Sequence, residues 1–246
     1  RDALLSGSTD QMRSDAATEL LMSGDPASRT VLLSALNQDD VPGARMAIYR
    51  VLVDSRRWAS QPKGTEVFVE PLIEGLRKRE GAEAQQIAEA TMIFEYRLIA
   101  DRLKSILDDR NSGVKPRLNA VYALRIRPEK EAISELIRLL DDSDEAVAAA
   151  ASEALQEWIP IGPDKQVWRG ILEDLKKKSR EDIVKERLKV LELQKRDLAA
   201  KLDTWQKLYL ASLRRIYDGM SDAASRQAFL AEQLASEHSL VKLWGL

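Results

Sequence analysis

VKPRLNAVYALRIRPEKEAISELIRLLDDSDEAVAAAASEALQEWI, residues 114–159, is the stretch of the chain in which one helical pattern is clearest. It contains two segments rich in small residues, AVYAL at 120–124 and ASEAL at 151–155. Small side chains at such positions allow two packed helices to come close together. Between the two segments, aliphatic residues recur at helical spacing and are followed by an acidic turn. The stretch therefore predicts successive helices joined by short turns.

A pair of aliphatic residues four positions apart recurs along the chain, and a polar turn follows. Two residues at this spacing share one face of a helix, so each pair predicts one amphipathic helix. The middle pairs are 31 to 35 residues apart, which suits a repeat of two helices. The pairs are Leu32/Leu36, Leu72/Leu76, Leu103/Leu107, Leu136/Leu140, Ile171/Leu175 and Leu230/Leu234. Because no segment alternates as a strand does, the predicted fold class is all-α.

The turn LLDDSDEAV at residues 139–147, followed by an Ala-rich helix ending in EAL, resembles the HEAT-repeat family of armadillo-like α-solenoids. The resemblance is strong over 98–159, weaker over 10–97, and returns at 222–246. It implies an α-α superhelix in which antiparallel helix pairs stack and the second helices line the concave side. The chain departs from the family because the Asp of the turn and the Arg of the second helix are not consistently present. We therefore expect an incomplete stacking ladder.

The predicted organisation is one continuous structural domain. Residues 1–178 are predicted to form HEAT-like helix pairs, and residues 179–246 the long helix described next and the start of a further, truncated repeat. The chain begins at Arg1 and stops at Leu246 within an apolar-periodic stretch. We therefore interpret it as a fragment of a larger protein.

Residues 180–218 contain neither Gly nor Pro and are predicted to form one unusually long helix. At 1.5 Å per residue, this helix would be about 58 Å long. Steps of four and three residues alternate along it, which indicates a coiled-coil seam interrupted by Lys195. The predicted seam contains Val184, Leu188, Leu191, Leu198 and Leu202. We expect the seam to pack on its own chain in a monomer, with a homodimer through the long helix as the alternative.

The residue types for common catalytic and metal chemistry are scarce, because the chain has no cysteine and one histidine, His238. The acidic cluster at 141–145 lacks the ligand spacing and central glycine of an EF-hand, so we interpret it as a turn with a helix N-cap. No catalytic residue, metal ligand or cofactor is predicted, and we expect the protein not to be an enzyme. Some HEAT-like proteins resemble lyases that attach bilins, an alternative ranked last because no nucleophile–base pair is present.

Charge is distributed unevenly along a chain whose formal net charge is −2. Residues 97–127 contain eight basic and three acidic residues, whereas residues 128–157 contain two basic and nine acidic residues. We interpret these charges as solvated outer faces and ion pairs between repeats, with a local basic groove in the first stretch as the alternative. The candidate partner-binding residues are Lys115, Arg117, Arg125 and Arg127 from that stretch, together with Arg45 and Arg50.

The function predicted from these features is a non-catalytic scaffold that presents a curved helical-repeat surface to a protein partner. Binding of nucleic acid or another phosphate backbone through the basic groove is the alternative. The near-neutral total charge and the acidic stretch at 128–157 argue against a continuous basic track. No apolar run approaches the roughly 20 residues that a membrane crossing needs, so no membrane-spanning segment is predicted in this sequence.

Overall fold

The computed structural model describes residues 1–60, 62–158 and 165–235. In these residues it contains thirteen α-helices and no β-strand, which confirms the all-α prediction. Residues 236–246, with His238 and the end of the predicted truncated repeat, lie outside the described residues.

The helices follow one another with short connections. In chain order they are α1 (Asp2–Ser6), α2 (Asp10–Ser23), α3 (Pro26–Leu36), α4 (Pro42–Ser55), α5 (Val69–Lys78), α6 (Gly81–Ala90), α7 (Tyr96–Asp108), α8 (Val114–Arg125), α9 (Lys130–Leu139), α10 (Glu145–Trp158), α11 (Lys165–Lys177), α12 (Arg180–Gly219) and α13 (Ala223–Ala235). Single turns of 3-10 helix lie at Thr65–Phe68, Thr91–Ile93 and Arg110–Ser112. Helix α12 confirms the predicted long helix.

Side-chain caps fix where several helices begin. The hydroxyl of Thr9 accepts a hydrogen bond of 3.2 Å from the amide of Met12 at the start of α2. Asp144 accepts one of 3.0 Å from the amide of Ala146, which confirms that the acidic cluster contains a helix N-cap. Such bonds satisfy amides that have no partner within the helix, so the polar turns of the sequence set the helix boundaries.

The chain divides into two compact units, Arg1–Arg187 and Leu188–Leu246. In the first unit, α2, α4, α6, α8 and α10 pack against one another in chain order. The intervening helices lie beside them: α3 contacts α2 and α4, α5 contacts α6 and α7, and α9 contacts α8, α10 and α11. Each helix therefore contacts helices that are near it in sequence.

The predicted aliphatic pairs supply the core of the first unit. The first four pairs are buried completely or almost so: Leu32, Leu36, Leu72, Leu76, Leu103, Leu107, Leu136 and Leu140. In the small-residue segments, Ala120 of α8 and Ala151 of α10 have no exposed surface. These alanines explain how α8 and α10 pack directly against each other.

The second unit has less buried apolar surface. Among its described residues, Leu213 of α12 is the one buried apolar side chain, whereas Leu230 is half-buried and Leu234 of α13 is exposed. The unit boundary at Arg187 falls inside α12, whereas the sequence interpretation separated the two parts at residue 178. Whether the chain behaves as one continuous domain stays a prediction. No helix of the described residues combines the length and apolar composition of a membrane span.

Candidate interaction surface

Two of the six candidate basic residues are buried between successive helix pairs. Arg45 and Arg117 are each the fourth residue of their helices, α4 and α8, and have 2% and 4% of their surface exposed. Arg45 donates from Nε to Glu83 Oε1 of α6 at 2.7 Å. Arg117 donates from Nε to the carbonyl of Leu107 at 2.7 Å and forms an ion pair with Asp142. Both guanidinium groups therefore connect neighbouring helix pairs.

The corresponding position is not basic in the neighbouring helices. The fourth residues of α6 and α10 are Ala84 and Ala148, which carry no charge. A buried arginine at the fourth residue is therefore present in α4 and α8 and absent in α6 and α10, and an incomplete stacking ladder of the HEAT type stays a prediction.

The environment of Asp142 favours its ionised form. Burial alone raises the pKa of this carboxyl group, but the amide of Asp144 and the guanidinium of Arg117 outweigh burial and place the pKa below its ordinary value. The Asp144 amide donates to Asp142 Oδ1 at 2.9 Å. The acidic turn thus supplies both a cap and a buried counter-charge.

Arg127 is also an interior residue, with 1% of its surface exposed. Its Nη2 donates to the carbonyl of Thr91 at 2.5 Å, and its Nη1 donates to the carbonyl of Phe94 at 3.3 Å. Its guanidinium lies 5.8 Å from the centre of the Tyr96 ring, and burial raises the pKa of that tyrosine to about 12. For Arg45, Arg117 and Arg127, the expected position in an open groove is corrected: their donors satisfy acceptors inside the protein.

The other candidate cations lie nearer the surface. Lys115 is exposed, and its Nζ is 2.6 Å from Glu80 Oε2. Arg50 is exposed and lies 3.5 Å from Asp10 Oδ2. Their partner binding stays a prediction, and each faces a carboxylate of the same chain.

Arg125 of α8 is held in a fixed position on the surface. Its Nε donates to Glu157 Oε2 of α10 at 2.8 Å, and its Nη2 pairs with the second oxygen of the same carboxylate. Its guanidinium lies 5.6 Å from the centre of the Tyr122 ring. The indole of Trp158 donates to the Arg125 carbonyl at 2.8 Å. A bidentate pair with an aromatic neighbour restricts the rotamers of Arg125.

This arrangement extends over three neighbouring helices. Burial raises the pKa of the Tyr122 phenol, and the nearby carboxylate of Glu89 on α6 raises it further. On the other side, the guanidinium of Arg187 lies 5.3 Å from the centre of the Trp158 ring and 3.8 Å from Glu157. We call the side chains of Glu89, Tyr122, Arg125 and Glu157 the second-helix face. Tyr122, Arg125, Glu89 and Glu157 are half-buried, so polar groups and an aromatic ring meet the solvent there.

The sequence interpretation included Arg125 but missed the residues that hold it. Tyr122 is three residues before Arg125, which places it on the same side of α8. This spacing could have identified Tyr122 as a neighbour of Arg125 from the sequence alone. The contribution of Glu157 had no comparable signal, because it lies 32 residues away and is brought near by the packing of α10 on α8.

The predicted seam residues are only partly covered. Val184, Leu188, Leu191, Leu198 and Leu202 of α12 have between 36% and 65% of their surface exposed. Their large exposed fractions mean that the described part of the chain leaves the seam mostly uncovered.

The clefts of the first unit differ in charge, and one of about 340 Å³ is lined by Arg29 and Lys63 with no acidic residue. One of about 480 Å³ is lined by Arg97, Lys130, Glu95 and Glu131, among others. Among the described residues there is no group of three or more His, Cys, Asp or Glu side chains placed to hold a metal ion. The mixed lining of the 480 Å³ cleft offers no concentrated charge of one sign for a phosphate or a cation.

Comparison with known proteins yields no matching family model, no matching curated protein and no matching solved structure.

Proposed function

We propose that this chain is a non-catalytic interaction scaffold of HEAT-like helical repeats that presents its second-helix face to a protein partner. The packing of α2, α4, α6, α8 and α10 in chain order supports the solenoid part of the proposal. A row of neighbouring helices supplies side chains from several repeats to one contact surface. The proposed contact involves α6, α8 and α10.

The observation that carries the proposal is the fixed, half-exposed group of Tyr122 and Arg125. Tyrosine and arginine are enriched among the residues that contribute most to protein–protein binding. Because Glu157 already restricts the guanidinium, a partner loses little side-chain entropy when it contacts Arg125. The aromatic ring beside it supplies apolar area with few rotatable bonds.

The charges of the surface favour a protein partner over a phosphate backbone. Five of the six candidate cations have a carboxylate of the same chain within 3.5 Å: Arg45, Arg50, Lys115, Arg117 and Arg125. Arg127, the sixth, is buried on backbone carbonyls. Phosphate binding would have to displace these internal partners, which lowers the gain from each contact.

A charge-swap variant tests the proposed face. The double change Arg125→Glu with Glu157→Arg keeps an ion pair but exchanges the positions of its positive and negative charges on the surface that a partner would contact. Each protein captured by the wild-type chain is purified, and its affinity for wild type and variant is compared by calorimetry. We expect at least a tenfold weaker binding for the variant, which is about 1.4 kcal/mol.

The control is a second charge swap away from this face. Arg102 of α7 and Glu70 of α5 form an ion pair of 2.5 Å, in which Glu70 is exposed and Arg102 is half-buried. The double change Arg102→Glu with Glu70→Arg should leave binding unchanged. Equal loss in both swaps, or no loss in either, would contradict the proposed face. Retention of the wild-type chain on heparin at about 0.15 M salt, reduced by added salt, would instead support a phosphate backbone.

A further inference from the structure

The second unit carries a stripe of large apolar side chains along α12. Their exposed fractions run from 42% at Leu191 to 71% at Trp205. Soluble proteins seldom expose a long row of leucines and aromatic residues without a use for it. The stripe contains Leu188, Leu191, Leu198, Leu202, Trp205, Tyr209 and Ile216.

The stripe has the geometry of a helix-pairing seam. Its members are separated by alternating steps of three and four residues once Lys195 and Ser212 are included. This spacing gives a narrow face suited to one partner helix, whereas a helix lying on a membrane has a broader apolar face. Arg226 of α13 makes its contacts near the end of α12, beyond the stripe: its guanidinium lies 5.5 Å from the centre of the Tyr217 ring and donates to the Met220 carbonyl at 3.0 Å.

The charges around the stripe are predominantly basic. From residue 188 to residue 219 the helix has seven basic and four acidic residues. Three of the acids already pair one turn away on the same helix: Asp197 with Lys201, Asp203 with Lys207 and Asp218 with Arg214. At the stripe and the positions that flank it, the charges are Lys195, Lys201 and Arg215 against Glu192, whereas Lys189 and Arg196 lie on the opposite side of the helix.

We propose that the α12 stripe binds one amphipathic helix of a protein partner whose apolar seam is flanked by acidic residues. Leucines of that helix would cover the stripe, and its carboxylates would meet Lys195, Lys201 and Arg215. The proposal concerns the second unit and does not depend on the proposed role of the second-helix face.

A second copy of the chain fits the stripe less well. Two parallel copies would place Lys195 against Lys195 at a seam position. Two antiparallel copies with Leu198 against Leu202 would bring Lys201 beside Lys201. An acidic helix avoids both repulsions.

Two synthetic peptides provide the test. Both have about four heptads with leucine at the seam positions; one has glutamate at the flanking positions and the other has lysine. Fluorescence anisotropy of each labelled peptide is measured with the full chain. We expect the glutamate peptide to bind at least tenfold tighter than the lysine peptide, with the difference reduced by salt. No binding of the glutamate peptide, or equal binding of both, overturns the proposal.

Two leucine substitutions provide a matched pair of variants. Leu198 in the stripe and Leu193 outside it are both 65% exposed on the same helix. Leu198→Glu should weaken binding of the glutamate peptide at least tenfold, whereas Leu193→Glu should leave it unchanged. Far-UV circular dichroism should show equal helix content in both variants. Equal losses in the two variants would mean that the stripe is not the binding face.

Two further measurements test whether a second copy of the chain or a membrane covers the stripe instead. If light scattering shows a dimer of the wild-type chain and a monomer of Leu198→Glu, the stripe binds a second copy of the chain and the proposed acidic helix is wrong. If the wild-type chain binds phosphatidylserine vesicles and Leu198→Glu does not, the stripe binds a membrane and the proposed acidic helix is wrong. The Arg125/Glu157 charge swap should leave peptide binding unaltered, so failure of the second-helix face and failure of the stripe are distinguishable.

Discussion

At the scale of residues, the buried arginines show how one side chain joins two helix pairs. Arg117 reaches the Leu107 carbonyl near the end of α7 and Asp142 in the turn between α9 and α10. A guanidinium suits this position because its planar donors point in several directions at once. The pair is costly to break, since a charge left in the interior loses both water and its counter-charge.

Asp142→Asn tests this pair and its pH dependence. We expect the variant to lose about 3 kcal/mol of unfolding free energy at pH 7, because Arg117 remains buried without its counter-charge. The folded-state pKa of Asp142 lies below its ordinary value, so its contribution is present above about pH 4 and is lost as pH falls through the folded-state pKa. Urea unfolding of both proteins between neutral and acidic pH measures the difference.

The control for this prediction is Asp144→Asn in the same turn. Asparagine caps a helix as well as aspartate does, so this variant should change stability by less than about 0.5 kcal/mol. A loss from Asp142→Asn that stays constant down to low pH would contradict the assigned role of the ion pair.

A glycine shows how closely α5 and α6 approach. A Cβ atom on the buried Gly75 would lie 2.9 Å from Ile87 Cδ1. We expect Gly75→Ala to destabilise the protein by about 1 kcal/mol and Ile87→Val to relieve part of that loss in the double variant. Thermal unfolding of the single and double variants measures the coupling.

The matched substitution is Gly170→Ala in α11. A Cβ at this exposed position meets nothing within 4 Å. Alanine should therefore stabilise the helix by about 0.5–1 kcal/mol, as expected for an exposed helix interior. Stabilisation by Gly75→Ala of the same size would show that the contact with Ile87 imposes no constraint.

At the scale of elements, the alanine-rich helix α10 depends on small side chains on its buried side, where it packs against α8 and α9. Ala151 has no exposed surface, whereas Ala149 faces solvent. The sequence alone indicated small residues at helix contacts, and the structure shows which alanines serve that purpose. Helix α12 is the opposite case: its length was readable from the sequence, but the exposure of its seam was not.

Ala151→Leu should destabilise the protein by about 2 kcal/mol, because the larger side chain overfills the contact between α8 and α10. Ala149→Leu, which has the same change in size, should stay within about 0.5 kcal/mol of wild type. Chemical unfolding of the two variants gives the comparison. Similar losses from both would mean that helix propensity, and not packing, limits this element.

At the scale of the whole molecule, the two units differ in how much apolar surface they bury. The buried core of the first unit includes residues from Leu4 to Ile183. In the second unit, among the described residues, burial is nearly confined to Leu213 and Gln233. Local stability follows buried contacts, so the two units should open at different rates.

Hydrogen exchange measures this difference. We expect amides in the middle of α4 and α8 to exchange slower than those in the middle of α13 by about one order of magnitude or more. Mass spectrometry of the intact chain followed by peptide-level analysis resolves the three helices. Equal protection throughout would favour the single continuous domain that the sequence predicted.

Helical periodicity determined much of this protein without any tertiary information. The spacing of aliphatic residues predicted the helices and the buried pairs, and the absence of Gly and Pro predicted α12, because these features act within one helix. The interior position of two arginines was also readable in principle. Arg117 precedes Ala120, Val121 and Leu124 by three, four and seven residues, and Arg45 has the same relation to Ile48, Tyr49 and Leu52.

Only the tertiary structure decided which partner each of these charges has. An arginine is compatible with either environment, and its position depends on whether an acceptor from another helix lies within reach. Asp142 lies 25 residues after Arg117, and Glu157 lies 32 residues after Arg125. No local pattern encodes such a pairing, because it forms only when neighbouring helix pairs are packed together.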